Sequence, residues 1–276
     1  MNTLYAVART VLLDALEALN EQRDAVVLVG AQAIYLHTGD ADIAVPAFTT
    51  DGDLVIEPAR LKDEPRLVEA MERAQFAPDT QPGSWVATRE VDSVLTTIPV
   101  DLQVPEAVAG GGRRAARLGN GDRTGRRARS LEGALLDYDF RTLRALAPDD
   151  PRAFDIRVAG PSALLVAKAH KISDRNQEPQ AKRLGDKDGL DVVRLLRGVE
   201  SRRLVDGLLR LRQESVSTTV NDEAITQLAD LFGFADAVGT QMAVRATERL
   251  GRPAGNRGIV NGARPGAAVS AADLRR

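Results

Sequence analysis

The chain reads as an α+β protein, with a mixed sheet flanked by helices over residues 1–160 and a helical lobe over residues 161–250. Three observations predict this. Short apolar runs of strand length alternate with helix-period segments in the first part, and beyond Pro161 only the helical period continues. Between them, the glycine- and arginine-rich stretch 109–130 interrupts the first pattern and reads as an insertion.

In chain order, Leu4, Val7, Val11, Leu12, Ala15, Leu16 and Leu19 recur at three- and four-residue intervals, the buried stripe of a helix ending near Glu21. Ala25–Gly30 is short, β-branched and apolar, as a strand covered on both faces requires, and it stops at a glycine. Ala31–Leu36 suits a short helix and Gly39–Thr50 a loop. Asp51–Ile56 starts polar and turns apolar, giving a second strand with carboxylates at its head and Pro58 at its close. Leu61–Gln75 is helical by period, and strands are expected at Ser84–Arg89 and Val94–Val104, the second broken at Pro99. Ala134–Tyr138, Thr142–Leu146 and Phe154–Ala159 suit strands or irregular pairing. Pro161 occupies a first helical position, and further helices are expected over Asp188–Leu196, Arg203–Arg212, Asp222–Phe232 and Asp236–Leu250. Residues 251–276 carry no usable period and read as a flexible tail.

The 276 residues carry 37 Lys and Arg against 39 Asp and Glu, a formal charge of −2, so no global field would hold the protein on a polyanion. Any such affinity is local. The absence of cysteine excludes thiolate catalysis, cysteine zinc sites and disulfides, and a cytoplasmic location is the expectation. Arg9, Asp14 and Glu17 make the first twenty residues an amphipathic helix instead of a signal peptide, and no 18-residue apolar run marks a membrane partner.

Asp51 and Asp53 lie two apart at a strand start, which sends both side chains to one face. Paired carboxylates in apolar surroundings repel, favouring a shared proton or a bridging cation such as Mg²⁺. Asp101, in the strand-like run Ile98–Val104, is a candidate third ligand. An Asp-Gly-Asp tripeptide also occurs in ordinary turns. From Arg113 to Arg129, seven arginines face one aspartate, Asp122, a local charge of +6. Arg113, Arg114, Arg117, Arg126 and Arg127 are therefore candidates for an RNA or nucleotide clamp, the rival reading being a solvated loop. No aromatic residue between Glu106 and Asp137 offers a base-stacking surface.

A second cluster follows Pro161. Lys168 and Arg175, seven apart, share one helical face, and Asp188 and Asp191, three apart, share a face of the next helix. Opposed, these faces make a charged cluster; the plain reading is a pair of exposed interhelical ion pairs worth at most about 1 kcal/mol each. Lys171 rivals Lys168, since its spacing to Asp191 equals that of Lys168 to Asp188. His37 and His170 read as surface or helix-packing residues.

The order helix, strand ending in Gly30-Ala31, short helix, loop, Thr50-Asp51-Gly52-Asp53-Leu54 on a strand and an acid on a later strand resembles the nucleotidyltransferase superfamily that includes DNA polymerase β. Lys168…Arg175…Asp188-Gly-Leu-Asp191 resembles the Lys…Arg…Asp-x-x-Asp region of AbiEii/AbiGii-type nucleotidyltransferases, which include the MenT toxins. This chain has Gly30-Ala31 where Gly-Gly or Gly-Ser is more usual, and a longer gap from Gly30 to Asp51 than compact members have.

The resemblance implies a nucleotidyltransferase-like sheet and Mg²⁺ or Mn²⁺ on Asp51 and Asp53, with Asp101 as a possible addition. It implies nucleotide contacts at Gly30, Ala31, Gln32, Thr50, Lys171 and Arg175, with Lys168, Asp188 and Asp191 in the catalytic set. The implied reaction moves a nucleoside monophosphate from an NTP to an acceptor hydroxyl. By the same resemblance the acceptor is a tRNA 3′ end and the protein a toxin with an antitoxin partner. Transfer to a small-molecule or protein hydroxyl, or nucleotide or RNA binding without turnover, is the alternative.

Overall fold

In a computed structural model, residues 3–39, 49–111, 113–118, 123–177 and 185–250 are described. The expected loop over 39–50 and the expected tail over 251–276 therefore lie largely or wholly outside the described residues, as do Gly112 and Asp122. The uniformly apolar run after the first helix becomes strand β1 (Val26–Val29), buried at every position. Its neighbours are β2 (Gly52–Ile56), antiparallel, and β8 (Ala153–Ala159), parallel. With both edges paired and both faces covered, β1 has no polar position to spare.

The remaining strands are β3 (Ala77–Pro78), β4 (Ser84–Val91), β5 (Val94–Pro105), β6 (Arg126–Ala128) and β7 (Tyr138–Arg144). They complete a mixed sheet ordered β3-β4-β5-β2-β1-β8-β7, with β6 beside β5. The twelve-residue β5 is shared along its length. Its first part pairs with β4, its middle runs parallel to β2, and its end runs parallel to β6. That sharing brings β6, from the arginine-rich stretch, next to the acids of β2 and β5.

Helices α1 (Thr3–Ala18), α2 (Gly30–Thr38) and α3 (Leu67–Arg73) flank the sheet. The C-terminal lobe contains α4 (Pro161–Gln177), α5 (Asp186–Gly198), α6 (Ser201–Gln213), α7 (Thr218–Phe232) and α8 (Val238–Leu250). One continuous apolar core runs from α1 through the central strands to α4, α6 and α7, so sheet and lobe are packed together. No described helix is long and apolar enough to cross a membrane.

The α+β class with a mixed sheet and a C-terminal helical lobe agrees with the reading from sequence, and three local expectations change. The helix expected over Leu61–Gln75 forms only over Leu67–Arg73, because Pro65 disfavours helical geometry at Glu64 and removes a backbone donor. Strand β5 runs unbroken through Pro99, which pairs with Val86. Pairing with β2 begins only at Val100, so Pro99 sits where that side of β5 is still an edge, and there a missing N–H leaves no gap in a ladder. Finally, Glu132–Leu135 is a 3₁₀ turn, and the strand after it spans Tyr138–Arg144, ahead of the expected Thr142–Leu146.

Candidate active site

A cleft of about 380 Å³ opens between the ends of β1, β2, β5 and β6 and one face of α4. Its floor follows from strand register. Asp53 stands beside Val29 in β1 and beside Asp101 in β5, so the two acids are direct neighbours on parallel strands and share a face. Asp51 precedes Asp53 by one strand period and also lines the cleft. Gln103, two residues beyond Asp101, lies on the same face and donates from Nε2 to Asp53 Oδ1 at 3.1 Å.

Space for Asp53 is made by Gly30. With φ of +68°, Gly30 adopts a backbone conformation that residues with a Cβ rarely take, and a Cβ there would stand 2.1 Å from Asp53 Oδ2. Burial pushes the Asp53 carboxyl above the usual carboxylate range; Lys171 opposes that shift, while Asp101 and Asp51 add to it. Asp51 is held from behind. The buried Gln32 donates from Nε2 to the Asp51 carbonyl at 3.0 Å, and Arg9 donates to Gln32 Oε1 at 2.5 Å. Thr50 Oγ1 donates to Asp51 Oδ1 at 2.6 Å.

The roof is α4, whose Leu164, Ala167, Lys168, Lys171 and Arg175 recur at helical spacing along the cleft. Lys168 is buried, with Nζ 2.6 Å from Asp188 Oδ1 and 2.8 Å from Asp191 Oδ2. Burial works against its charge, but Asp191 and Asp188 outweigh it and lift its pKa above the ordinary lysine value. Burial likewise opposes ionisation of Asp188, yet Lys168, Lys171 and Arg175 hold its carboxyl well below the carboxylate range. Arg175 Nη1 reaches Asp188 Oδ2 at 2.6 Å and Lys171 Nζ reaches Oδ1 at 3.3 Å. The Lys171 and Arg175 side chains are 45% and 41% exposed, so they are more open to the cleft than Lys168, whose side chain is 7% exposed.

Six of the residues expected around the nucleotide or metal therefore meet in one cleft with Lys168: Gly30, Asp51, Asp53, Asp101, Lys171 and Arg175. Asp188 and Asp191 stand behind Lys168 as its partners. Ala31 and Gln32 are buried beside the cleft, and Thr50 is attached to it through Asp51. Asp101 lines the cleft, where its Oδ2 accepts from Arg126 Nη2 at 2.9 Å. The other arginines diverge. Arg127 is tied to Glu106 at 3.2 Å and to the Gly110 carbonyl, whereas Arg113, Arg114 and Arg117 are exposed outside the cleft. His37 and His170 are both buried by packing, each against a backbone carbonyl.

Sequence reasoning did not single out Gln103, Ser130, Arg129 or Asp174, all of which line the cleft, nor the half-buried Lys187. Gln103 was within reach of the period-two rule, being two residues past Asp101. Burial depresses the Lys187 pKa, and Asp191 opposes that shift.

Mg²⁺ commonly takes one or two carboxylates and completes its shell with water and phosphate oxygens. Asp51 and Asp53 fit that donor set. Among the described residues no three His, Asp or Glu side chains converge as a ready-made metal cage, consistent with Asp101 being turned to Arg126.

No family model matches the chain, and no curated protein matches it by sequence. Among solved structures, an antigenic nucleotidyltransferase-like protein from Paracoccidioides brasiliensis is similar at 15% identity and a TM-score of 0.40, covering 80% of this chain and 93% of that one. JHP933 from Helicobacter pylori is similar at 13% identity and a TM-score of 0.27, covering 90% and 96%. At these scores neither likeness carries an argument, and the functional reading rests on the cleft.

Proposed function

We propose that the chain is a metal-dependent nucleotidyltransferase that moves a nucleoside monophosphate from an NTP to an acceptor hydroxyl. The observation that carries the reading is convergence: Asp51 and Asp53 share one cleft with Lys168, Lys171 and Arg175, which lie far along the sequence. Acids beside exposed cations suit a polyphosphate that brings both negative oxygens and a bound cation. In this reading the acceptor oxygen bonds to the α-phosphorus, its proton passes to water, and the bond to pyrophosphate breaks.

Asp51 and Asp53 would hold Mg²⁺ or Mn²⁺, whose charge would offset that of the phosphate oxygens. Gly30 keeps the backbone at the cleft edge thin enough for Asp53 to reach the floor. Lys171 and Arg175 are the phosphate-facing cations in this scheme, and Lys168 pins α5 to α4 through Asp188 and Asp191. Gln103 orients Asp53, and Gln32 holds the segment bearing Asp51.

The test is incubation of the full chain with each α-labelled NTP, Mg²⁺ and total RNA. Label on RNA supports an RNA acceptor, and mapping it to tRNA 3′ ends supports the toxin reading drawn from the resemblance. Label on protein or a small molecule moves the acceptor class, and NTP binding without transfer makes the chain a binder. Asp53→Asn is expected to lower transfer at least ~100-fold, as loss of a ligand to a charge-neutralising ion should. Growth arrest on expression, relieved by co-expression of the neighbouring reading frame, tests the antitoxin partner.

A further inference from the structure

Asp101 is the direct lateral neighbour of Asp53, yet one of its oxygens is taken by the guanidinium of Arg126. Both residues line the cleft, both side chains are partly exposed, and Arg126 is braced on its other nitrogen by Gln81 Oε1 at 3.2 Å. The contact is fixed by register, since β6 places Arg126 beside Gln103, two residues past Asp101 on the same strand. The pair thus joins an acid that belongs with the cation-binding floor to a cation that belongs with a phosphate. A partly exposed ion pair is weak, and two better partners arriving together displace it.

We propose that the Arg126–Asp101 pair is an exchangeable internal salt that couples binding of the divalent cation to binding of the polyphosphate. With the pair closed, Asp101 is withheld from the cation and Arg126 from the phosphate. When a polyphosphate takes the guanidinium, Asp101 is released to the cation beside Asp53; when a cation takes Asp101, Arg126 is released to the phosphate. Each ligand therefore raises the affinity for the other by the same factor, as linkage requires. The inference rests on the metal and phosphate reading of the cleft, and it goes beyond that reading by giving the arginine-rich segment a role inside the site.

The test is a double-mutant cycle read by binding, with Mn²⁺ alone as one probe and inorganic tripolyphosphate in metal-free buffer as the other. In the full chain, Arg126→Gln is expected to tighten Mn²⁺ binding by up to about fivefold, and in an Asp101→Asn background by less than about twofold, because its effect runs through Asp101. Conversely, Asp101→Asn is expected to tighten tripolyphosphate binding, and to lose that effect when Arg126 is already Gln. A gain of equal size in both backgrounds would show a general field effect and overturn the exchange. So would no gain, provided Asp53→Asn abolishes Mn²⁺ binding and thereby upholds the metal site. Failure of Mn²⁺ to bind any form, with or without tripolyphosphate, overturns the metal reading and the exchange together.

Discussion

Two residues carry sharply different loads for their size. Gly30→Ala is expected to cost about 1–2 kcal/mol for the left-handed backbone alone, and its Cβ must also displace Asp53, which lies 2.1 Å from the ideal position. Gly39 supplies the control: its φ is +44°, but nothing stands within 4 Å of an added Cβ. Urea denaturation of both variants should show strain in each, and, on the proposed metal reading, Mn²⁺ titration should show weakened binding only for Gly30→Ala. The second residue is His37, whose fully buried side chain bonds the Ala159 carbonyl at 2.7 Å. Burial, assisted by Arg141 and Arg203 and opposed by that carbonyl and Asp139, lowers its pKa to about 4. The unfolded chain takes a proton near the ordinary value of about 6.5 while the folded chain does not, so stability falls as pH drops from there toward 4. About 2 kcal/mol should be lost between pH 7 and pH 5 on this account. Urea midpoints at the two pH values check it: His37→Gln, which keeps a donor for Ala159, should flatten the difference, and an equal loss in both proteins assigns the effect to other groups. Gly30 was legible in the sequence as the end of a strand, and Asp51 with Asp53 as a pair on one face. The engagement of Asp101 by Arg126 was not, because it depends on β6 meeting β5 in one register across a stretch with no strand period of its own.

The helices that frame the cleft show what periodicity does and does not determine. Each helix beyond Pro161 was visible in its apolar spacing, and the seven-residue interval from Lys168 to Arg175 correctly put both on one face of α4. Spacing says nothing about which cation on that face is consumed by the next helix. Here α5 takes Lys168 with two carboxylates and leaves Lys171 and Arg175 partly open. Lys168→Ala takes from the buried Asp191 the cation it pairs with, while Asp188 keeps Arg175 and Lys171, and it is expected to destabilise the protein by about 3–5 kcal/mol. Lys171→Ala removes a half-exposed partner and should cost less than about 1 kcal/mol, while weakening NTP affinity about ten- to a hundredfold through one lost charged hydrogen bond. Denaturant midpoints and NTP titrations on the two variants separate the roles. If Lys171→Ala binds NTP normally, the proposed role of Lys171 as a phosphate-facing cation is overturned. Pro65 and Pro99 make the complementary point at the element scale. The first shortened a helix that the apolar period alone overextended, and the second did not break its strand, because what a proline interrupts depends on which neighbours have joined the sheet.

At the scale of the whole molecule, the near-neutral charge and the local arginine excess pull toward different expectations for a polyanionic acceptor. A net charge of −2 gives no long-range attraction, so any RNA must be drawn by the stretch around 109–130. The fold divides that stretch. Arg126, Arg127 and Arg129 are engaged by Asp101, Glu106 and Glu223, and Arg123 donates to the Thr80 carbonyl. Arg113, Arg114 and Arg117 are exposed, and among the described residues none of the three forms an ion pair. Phosphate contacts release counterions, so each contact steepens the dependence of binding on salt, by about 0.7 in log–log slope for a single strand. If the acceptor is RNA and these three arginines hold it, replacing all three by Gln should reduce the slope of log affinity against log salt by about 2. NTP binding should be unchanged, because none of the three lines the cleft. Filter binding of RNA from 50 to 300 mM salt measures the slope directly. An unaltered slope removes this surface from the acceptor path, whereas a fall in slope together with lost NTP affinity means that the arginine segment and the cleft act as one site.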